Sequence, residues 1–373
     1  MKSTQYGYFD DVNREYVITD PQTPVKWINY LGSLAFGGFV DQTGGMLLCR
    51  QDPALNRITK YLTQDPPSGF RATTLYLRFA GKAGETSVFS PFFVPTLTPY
   101  DRYECHVGLG YSRFLSEMQG VRTEICVFVP RGEHMLIQQV KVTNLSEVAR
   151  EIDLIPVVEY THPDALKQLI NADWVPQTMQ SYLDKEPGGL KIVSQAPFMH
   201  KTSQRNFLTA NLPVSSFETD RRAFLGGNGY GTWAAPGALQ APELGNNLAL
   251  RGDNIGALML HLGEIPPGGS RSAVILLGQA AGIEAAQPVI QRFRKKQAVK
   301  DAFEALRSDW EDFLAVVQVV TPDDEMNRML NIHNPRQCLI TMNWSRYLSL
   351  YQLGFGARGM GFRDSAQDVM GAL

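Results

Sequence analysis

Cysteine is scarce in this sequence, and its scarcity narrows the chemistry that the chain can perform. The four cysteines, Cys49, Cys105, Cys126 and Cys338, are scattered along 373 residues, and no Cys-x-x-Cys pair occurs. Zinc sites and redox motifs need closely spaced cysteines, and small disulfide-stapled domains need many of them. The spacing therefore favours buried free thiols in a reducing compartment over a disulfide framework or a metal site.

Three further absences exclude whole classes of protein. Lys and Arg total 35 against 37 Asp and Glu, so a net charge of −2 leaves no basic excess to neutralise the phosphates of a nucleic acid. The opening stretch MKSTQYGYFDDVNREYVITD lacks the apolar centre of a secretory signal. No run approaches the roughly 18 apolar residues that span a membrane. We therefore predict a cytoplasmic protein that binds neither nucleic acid nor membrane.

What the sequence does contain is a long β-rich first part, residues 1–282. Short runs of alternating or β-branched residues recur, separated by turns that contain Gly, Pro or Asn; examples are TTLYLRF, MLIQQVKVTN, REIDLIPVVEYT and SAVILLG. A pattern of crossover helices between these runs is missing. The first part is therefore predicted to be an antiparallel β-sandwich rather than a parallel α/β sheet.

The composition then changes to one that favours helices. Residues 283–318 are rich in Ala, Glu, Lys, Arg and Leu, with apolar residues at helical spacing. We predict two linker helices there, across about 284–316. Residues 319–373 then form a third part, with too few predicted helices to bury their apolar faces alone.

Helix signals in the third part are local. Thr321 is the predicted cap of a helix that runs until Pro335 interrupts it. Asp364 or Ser365 is the predicted cap of a later helix that begins at Ala366.

A glycine-rich segment between these helices poses the main functional question. Gly354, Gly356 and Gly359 fit the G-x-G-x-x-G pattern of a dinucleotide-binding loop. That loop must follow a first strand, open a helix and precede an acidic residue by about 20 positions. This context is missing around the three glycines, so the sequence disfavours a dinucleotide site.

The residues around the glycines carry more information than the glycines themselves. They are Arg346, Arg358, Arg363, Asp364, Gln367 and Asp368, with Trp344 nearby. Guanidinium groups donate forked hydrogen bonds to phosphate or sugar hydroxyls, carboxylates accept from hydroxyls, and an aromatic ring offers an apolar face to a pyranose. Composition alone leaves two interpretations open: a site for a carbohydrate and phosphate, or a salt-bridged loop that caps a helix.

Longer motifs, in a fixed order, extend over essentially the whole chain. They are YGYFDDVNREYVITDPQTPVKWINYLG (6–32), TGGMLLCRQDPALNRITKY (43–61), GLGYSRF (108–114), VPRGEHMLIQQVKVTN (129–144), NWSR (343–346) and RGMGFRDSAQD (358–368). Together they resemble the N-terminal half of glycoside hydrolase family 94, the inverting disaccharide phosphorylases that act on cellobiose, cellobionic acid or chitobiose. Motifs of this length and order are far more specific than a glycine pattern.

The resemblance implies both a fold and a reaction. The fold is an N-terminal β-supersandwich, a helical linker and the first helices of an (α/α)6 barrel. The reaction is phosphorolysis: phosphate attacks the anomeric carbon of a β-linked sugar from the face opposite the leaving oxygen and gives an α-sugar 1-phosphate. An aspartic acid protonates the leaving oxygen, so phosphate is a co-substrate and no metal or organic cofactor is expected.

Roles for individual side chains follow from the resemblance. Arg346 of NWSR would contact phosphate. Arg358 and the pair Arg363–Asp364 would hold hydroxyls of the donor sugar, while Gln367 and Asp368 would support them.

Dimerisation is also implied, because family members form homodimers in which an N-terminal loop helps to close the partner's site. Residues 160–182 are the candidate for this loop, with Asn171, Trp174 and Gln177 as the residues that would touch sugar. A surface loop packed on its own sheet is the alternative.

One family feature is missing from this sequence. The general acid of the family lies in a Gly-Asp-Trp-Asn-Asp-type motif, and no such motif occurs in these 373 residues; NADWV (171–175) and RSDWEDF (307–313) contain Asp-Trp in the wrong parts. The resemblance places the general acid beyond Leu373, so no catalytic residue is expected within the chain. We therefore expect a portion of a phosphorylase that is inactive alone. The alternative is a stand-alone carbohydrate-binding or dimerising β-sandwich without catalysis.

Two stretches bear on the substrate. AFGGFVDQTGG (35–45) and RYLSLYQLG (346–354) differ from the pattern expected of a cellobiose-type enzyme. They hint at a related acceptor such as cellobionic acid. A glucosyl donor is favoured over an N-acetylglucosaminyl donor.

Overall fold

The computed structural model describes residues 6–63, 66–80, 85–199, 203–347 and 361–372, without the side chains of 346, 347 and 372. Its strands are β1 (Gly7–Asp10), β2 (Glu15–Ile18), β3 (Ile28–Gly32), β4 (Gly37–Asp41), β5 (Met46–Cys49), β6 (Thr73–Ala80), β7 (Thr86–Phe89), β8 (Arg102–Val107), β9 (Tyr111–Met118), β10 (Val121–Phe128), β11 (Met135–Asn144), β12 (Arg150–Glu159), β13 (Met179–Lys185), β14 (Lys191–Pro197), β15 (Gln204–Ala210), β16 (Ser216–Asp220), β17 (Asn254–Ile265) and β18 (Ser270–Ala281).

The helices are concentrated after the last strand. They are α1 (Ala165–Ile170), α2 (Arg221–Leu225), α3 (Ile283–Phe293), α4 (Lys296–Ala315), α5 (Asp324–Arg328), α6 (Asn334–Ile340) and α7 (Phe362–Ala372). Two π-helical segments, Met329–His333 and Thr341–Tyr347, precede and follow α6.

Three antiparallel sheets make up the first part. Their orders are β1-β2-β8-β9-β10-β11-β18-β15-β14-β13, β16-β17-β12-β6-β7 and β3-β4-β5. The main core lies between the ten-stranded and five-stranded sheets. The predicted antiparallel sandwich is therefore confirmed. β18, the last strand along the chain, lies inside the large sheet between β11 and β15.

Side-chain alternation explains which face each sheet buries. In β9, Phe114 and Met118 point into the core, while Arg113 and Glu117 lie on the opposite face. β12 and β17 are instead buried along nearly their whole length. The reason is a second cluster, built around Phe224 and other side chains between β16 and β17, that covers the outer face of the small sheet.

The two predicted linker helices are present as α3 and α4. Their apolar faces, including Ile290, Phe293 and Leu306, pack on the outer face of the ten-stranded sheet. Phe303 of α4 meets the rings of Tyr111 and Phe128 edge-on, at centroid distances of 5.0 and 5.3 Å. The helical spacing of apolar residues thus identified the buried face correctly.

Three predictions about the later helices are wrong in detail. Asp323, not Thr321, caps α5, because its carboxylate accepts hydrogen bonds from the amides of Glu325 and Met326 at 2.9 and 3.0 Å. Thr321 instead hydrogen-bonds the side chain of Asn327 at 2.8 Å. A carboxylate at the cap also suits the positive end of the helix dipole better than a hydroxyl.

Pro335 does not end a helix as predicted. The π-helical segment before it widens the turn, and Pro335 then occupies the first turn of α6, where a missing amide hydrogen is tolerated. α7 begins at Phe362 rather than at Ala366, with the Ser365 amide donating to the Gly361 carbonyl at 2.9 Å.

Candidate functional site at the C-terminal helices

Four of the predicted site residues lie on α7. Arg363 and Gln367 are one helical turn apart, as are Asp364 and Asp368, so the four side chains form two adjacent rows. Arg363 Nη2 lies 3.3 Å from Asp364 Oδ1, and 84% of the Arg363 side chain is exposed. This part of the helix therefore presents a guanidinium, an amide and carboxylates close together.

Contacts with α6 fix the orientation of α7. A Cβ atom on Gly371 would lie 2.4 Å from Cys338 Sγ, so the absence of a side chain permits this close approach. Ser365 is buried on the same helix, whereas Arg363 and Gln367 are exposed. Arg363 and Gln367 thus lie on the open side of α7, whereas Asp364 and Asp368 are partly buried.

The remaining predicted positions of this region are described only in part. Arg346 lies in the π-helical segment Thr341–Tyr347, and its side chain is outside the described residues. Arg358 and the glycines at 354, 356 and 359 also lie outside them. So does Leu373, beyond which the resemblance places the general acid. The position of the proton donor therefore stays a prediction.

Trp344 has a packing role. Its ring stacks on Tyr30 of β3, with centroids 5.5 Å apart and an interplanar angle of 23°, and only 4% of its surface is exposed. It also packs with Phe39 and Ile340. The expectation that this ring offers an open face to a sugar is therefore wrong: Trp344 anchors the helical segment to the three-stranded sheet.

An ion pair forms a second anchor. Arg328 of α5 donates to both carboxylate oxygens of Asp11, at 2.5 and 2.6 Å, and its guanidinium lies 4.8 Å above the ring of Phe9. Hydrogen bonding by Arg328 lowers the pKa of Asp11. The strand β1 and the turn after it are thereby tied to the start of the helical segment.

Arg336 forms a third anchor. Its Nη2 donates to Asn29 Oδ1 at 2.6 Å, and Asn29 Nδ2 in turn donates to the carbonyl of Tyr111 at 2.7 Å. Burial lowers the pKa of Arg336 to about 10, so the guanidinium stays charged at neutral pH. α6 is therefore hydrogen-bonded through β3 to the start of β9.

Trp174 lies in a different region from α7. It is 58% exposed and immediately precedes the 3₁₀ turn Val175–Thr178 and strand β13. β13 is one edge of the ten-stranded sheet, whereas the helical segment is tied to β1 at the other edge. The segment before Trp174 is hydrogen-bonded to the stretch after β5, since the Ala165 amide donates to the Ala54 carbonyl at 2.8 Å.

The segment 160–182 is also more regular than predicted. It contains α1, the 3₁₀ turn and the first residues of β13. Asp164 caps α1 by accepting from the amide of Lys167 at 2.8 Å. Asn171 ends α1, and Gln177 lies in the 3₁₀ turn.

A charged cluster that the sequence did not reveal brings two of the quoted motifs together. Glu15 is 1% exposed, and its carboxylate accepts two hydrogen bonds of 2.7 Å from Arg113 and one of 2.7 Å from Tyr111. His106 Nδ1 lies 2.8 Å away. Burial raises the pKa of Glu15, but hydrogen bonds from His106, Arg113 and Tyr111 outweigh it and lower the pKa to about 2. This cluster thus holds β2, β8 and β9 together.

The described residues offer no second candidate site built on a metal ion or on a reactive thiol. Among the described residues, no group of three or more His, Cys, Asp or Glu side chains could hold a metal ion. The four cysteines are free thiols, and burial raises the pKa of Cys49 and of Cys126 to about 12, so these two are poor nucleophiles. No helix within the described residues is long and apolar enough to cross a membrane.

Comparison with known families decides the wider assignment. The Glycosyl hydrolase 94 supersandwich domain matches residues 14–296, and the catalytic domain of the Glycosyl hydrolase 94 superfamily matches residues 309–373. The chain belongs to glycoside hydrolase family 94. The supersandwich match spans the strands from β2 to β18 and the helix α3, and the catalytic-domain match begins within α4.

Two curated relatives of this family 94 chain are phosphorylases, and a cyclic beta-(1,2)-glucan synthase from Rhizobium meliloti also matches, at 25% identity over 99% of this chain and 12% of its own length. An N,N'-diacetylchitobiose phosphorylase from Vibrio furnissii is 30% identical over 98% of this chain and 44% of its own length. A 3-O-beta-D-glucopyranosyl-beta-D-glucuronide phosphorylase from Paenibacillus borealis is 27% identical over 99% of this chain and 44% of its own length. The chain thus spans less than half the length of these relatives.

A solved structure shares the fold of the chain. It is provisionally named a kojibiose phosphorylase, from human microbiome, and it matches with a TM-score of 0.50 and 9% identity over 90% of this chain and 42% of its own. At this identity the likeness concerns the fold alone.

Proposed function

We propose that this chain is a portion of an inverting disaccharide phosphorylase. The reaction is the transfer of a glucosyl group from a β-linked disaccharide, of the cellobiose or cellobionic acid type, to inorganic phosphate, which yields α-D-glucose 1-phosphate. The observation that carries this proposal is the match of the supersandwich and catalytic domains of one family, in order, over nearly the whole chain. Curated relatives that act as phosphorylases on several disaccharides support the reaction class.

The proposed division of the chain has three parts. Residues 1–282 form the sandwich domain, 283–318 the helical linker and 319–373 the start of an (α/α)6 catalytic barrel. The end of β18 at Ala281 and the packing of α3 and α4 on the large sheet support these boundaries.

Substrate contacts are proposed for the arginine-rich end of the chain. Arg346 would bind phosphate, because a guanidinium matches two phosphate oxygens at once. Arg358 and Arg363 would bind donor-sugar hydroxyls together with Asp364. Support for Arg363 and Asp364 comes from their 3.3 Å contact, which orients the carboxylate, and from the exposure of Arg363.

The other two residues on this helix would have a supporting role. Gln367 and Asp368 follow Arg363 and Asp364 by one helical turn each, so they can hydrogen-bond the same ligand or steady the first pair. Inorganic phosphate is the co-substrate, and no organic cofactor or metal is proposed.

The chain by itself is proposed to be inactive. Departure of the acceptor requires a proton on the leaving oxygen, and phosphate, the nucleophile, cannot also protonate that oxygen from the opposite face of the sugar. The aspartate motif that supplies this proton in the family does not occur in this sequence and is expected beyond Leu373. α-D-Glucose 1-phosphate should therefore not form with this chain alone.

A homodimer is proposed as the assembled state, with Trp174 serving the partner's site. The exposure of Trp174, at 58%, leaves its ring accessible to a second subunit. Neighbouring apolar side chains are also exposed: Ile170 by 77%, Met199 by 66% and Leu250 by 67%. Such a group of exposed apolar residues is typical of an interface.

The oligomeric state tests the dimer directly. Replacing both Ile170 and Trp174 by Ser should convert a dimer to a monomer in sedimentation equilibrium. Val12→Ser is the matched control, because Val12 is 92% exposed on the opposite edge of the sheet. A wild-type chain that sediments as a monomer at all concentrations would contradict this part of the proposal.

A cytoplasmic location is proposed from cysteine chemistry. Four free thiols are stable in a reducing compartment and would be exposed to oxidation outside it. Localisation of a tagged chain by cell fractionation tests this point.

The reaction is tested by assay with and without phosphate. Two proteins are expressed: this chain and, where the reading frame continues past codon 373, the full-length protein. Formation of α-D-glucose 1-phosphate is measured for each with cellobiose, cellobionic acid and diacetylchitobiose. Arg363→Gln should lower kcat/KM of the longer protein by about 10-fold to 100-fold, since a charge-assisted hydrogen bond to substrate is lost. Arg271→Gln on β18 is the matched control.

Each other outcome has a definite meaning. Glucose released without phosphate indicates a hydrolase. Disaccharide binding without product from the longer protein indicates a carbohydrate-binding module. Faster turnover of diacetylchitobiose than of either glucosyl substrate would overturn the proposed donor sugar.

A further inference from the structure

A cavity lies on the outer face of the ten-stranded sheet, among residues that the proposed reaction does not use. Its volume is about 300 Å³, and its lining comes from β8, β9, β10, β11 and β18. None of the lining residues belongs to the helical segment that carries Arg363. At about 30 Å³ for each water molecule, the cavity holds about ten waters, which is room for one pyranose ring rather than two.

Strand register shows which side chains share this face. Residues paired across antiparallel strands point to the same side of the sheet. The two rows that line the cavity are His106–Arg113–Cys126–Gln139 and Leu115–Glu124–Lys141–Ser272. Neighbours within a row are about 5 Å apart, and the rows are about 7 Å apart along the strands. The lining side chains therefore converge from five paired strands rather than from loops.

Arg113 leaves the space above β10 open. Its guanidinium leans across β8 to Glu15 on β2, where Nη2 donates to both carboxylate oxygens at 2.7 Å. The floor that remains is apolar, because it consists of the partly buried side chains of Leu115 and Cys126. A pyranose ring presents C–H groups on its faces and hydroxyl groups around its rim. An apolar floor therefore suits one face of such a ring.

The charges at the cavity are already paired. Each cation in the lining has a carboxylate partner within 3.0 Å: Glu15 for Arg113, Glu15 and Glu104 for His106, and Glu124 for Lys141. An ionic ligand would have to displace one of these partners, whereas a neutral ligand would not. The cavity therefore suits a neutral molecule.

Hydrogen-bonding capacity remains around the floor. The side chains of Gln139 and Ser272 are partly buried, and neither makes a side-chain hydrogen bond within the part of the chain that the structure describes. Lys141 and Glu124 are 50% and 42% exposed, and their contact with each other leaves further donors on the ammonium group and further acceptors on the carboxylate. The cavity thus offers both donors and acceptors, as a ring with several hydroxyl groups requires.

We propose that this cavity binds one pyranose ring of a neutral aldohexose, as a second saccharide site separate from the site of phosphorolysis. Leu115 and Cys126 pack against the ring, while Gln139, Ser272 and the Lys141–Glu124 pair hydrogen-bond its hydroxyls. The site does not depend on the general acid of the proposed reaction. The 373-residue chain should therefore bind the sugar even though it is proposed to be inactive alone.

Titration of the chain with D-glucose, followed by saturation-transfer difference NMR, tests the site. Gln139→Leu should raise Kd by about fivefold to tenfold, because one or two neutral hydrogen bonds are lost. Gln180→Leu on β13 is the matched control, since Gln180 is also partly buried and does not line the cavity, and it should leave Kd unchanged. D-Glucuronate should bind no more tightly than D-glucose, and tighter binding would overturn the assignment to a neutral sugar.

A labelling experiment guards against misfolding of the binding variant. The thiol introduced by Ser272→Cys lies at the cavity, whereas that introduced by Ser270→Cys lies one row away on the same face of β18. With D-glucose at about ten times Kd, alkylation at position 272 should slow by about tenfold, since only about one site in eleven stays empty. Alkylation at position 270 should not change.

Two outcomes would overturn the proposal. One is the absence of D-glucose binding at up to about 50 mM. The other is binding that survives Gln139→Leu without protection of position 272 but is lost in Arg363→Gln. That second result would place the sugar at the site proposed for phosphorolysis, and the proposed function would stand.

Discussion

The buried carboxylate of Glu15 should give the sandwich a definite pH dependence. The perturbation is Glu15→Gln, which keeps the shape of the side chain and removes its charge. In the folded chain the pKa of Glu15 falls from its ordinary 4.5 to about 2, because hydrogen bonds from His106, Arg113 and Tyr111 outweigh burial. At about 1.4 kcal/mol for each pKa unit, the ionised form contributes about 3 kcal/mol to the free energy of unfolding.

The sign of the effect follows from the direction of the pKa change. A lowered pKa in the folded state stabilises the protein above pH 4.5, and this stabilisation is lost as the pH falls towards 2. Wild type should therefore exceed Glu15→Gln by the largest margin near pH 5 and above. The margin should shrink by about 3 kcal/mol between pH 5 and pH 2.

Histidine titration does not disturb this window. Hydrogen bonds to Glu15 and Glu104 raise the pKa of His106 despite its burial, so His106 is protonated in the folded chain throughout the range from pH 5 to 2. Its contribution is instead lost as the pH rises through that raised pKa. In wild type, the stability lost below pH 5 is therefore not due to His106.

Urea denaturation of both proteins at pH 6, 5, 4, 3 and 2 measures the margin. Glu304→Gln is the matched control: Glu304 pairs with Lys300 at 3.7 Å on the exposed face of α4, a pair whose contribution is about 0.5 kcal/mol or less. A wild-type margin that stays constant from pH 5 to 2 would refute the reasoning, because it would show that Glu15 has the same pKa in the folded and unfolded chains.

Three substitutions test the packing of the helical segment and its neighbours. Trp344→Ala should lower the free energy of unfolding by about 3–5 kcal/mol without changing affinity for sugar, and loss of sugar binding at unchanged stability would contradict the packing role. Asp11→Asn should lower the free energy of unfolding by about 1 kcal/mol or less, and only at low salt, because the ion pair of Asp11 with Arg328 is partly exposed. Urea titrations at two salt concentrations measure this difference. Gly44→Ala should lower the free energy of unfolding by about 2–4 kcal/mol, because Gly44 has a φ of +78° and a Cβ atom would lie 2.4 Å from the ring of Phe92. A denaturation midpoint equal to that of wild type would contradict this prediction.

Local patterns predicted most of the secondary structure. The run MLIQQVKVTN coincides with β11, and helical spacing after residue 282 located α3 and α4. Such patterns reflect which face of an element is buried, and this is a property of neighbouring residues. The exceptions are equally local in origin: the prediction that Pro335 ends a helix failed because a π-helical turn had already made room for it.

Contacts between distant residues could not be predicted in this way. Arg328 meets Asp11 across 317 positions, and nothing in either local sequence names the other. The same limitation made Trp344 resemble a sugar-binding ring, since the single sequence does not show that Tyr30 covers it. Substitution of Gly37 is restricted in part for the same reason: a Cβ on Gly37 would lie 2.8 Å from Trp344.

The candidate site was predicted in part. Arg363, Asp364, Gln367 and Asp368 lie close together because a helix places residues four apart on one side. Trp174 is not part of that helix: it precedes β13 at an edge of the ten-stranded sheet, a position that no local pattern encodes.

The position of β18 has a consequence for how the protein is made. In the ten-stranded sheet, strands β1, β2 and β8–β11 form one half, strands β13–β15 form the other, and β18 joins the two halves. During synthesis, the long edge of β11 is complete roughly 140 residues before its partner is, which corresponds to about 7–30 s at 5–20 residues per second. For that interval a ten-residue edge strand is open to pairing with other chains. A nascent chain that stalls before residue 270 would therefore be a hazard to its neighbours on the polysome, and rapid translation or chaperone cover of this interval would protect the yield of folded protein.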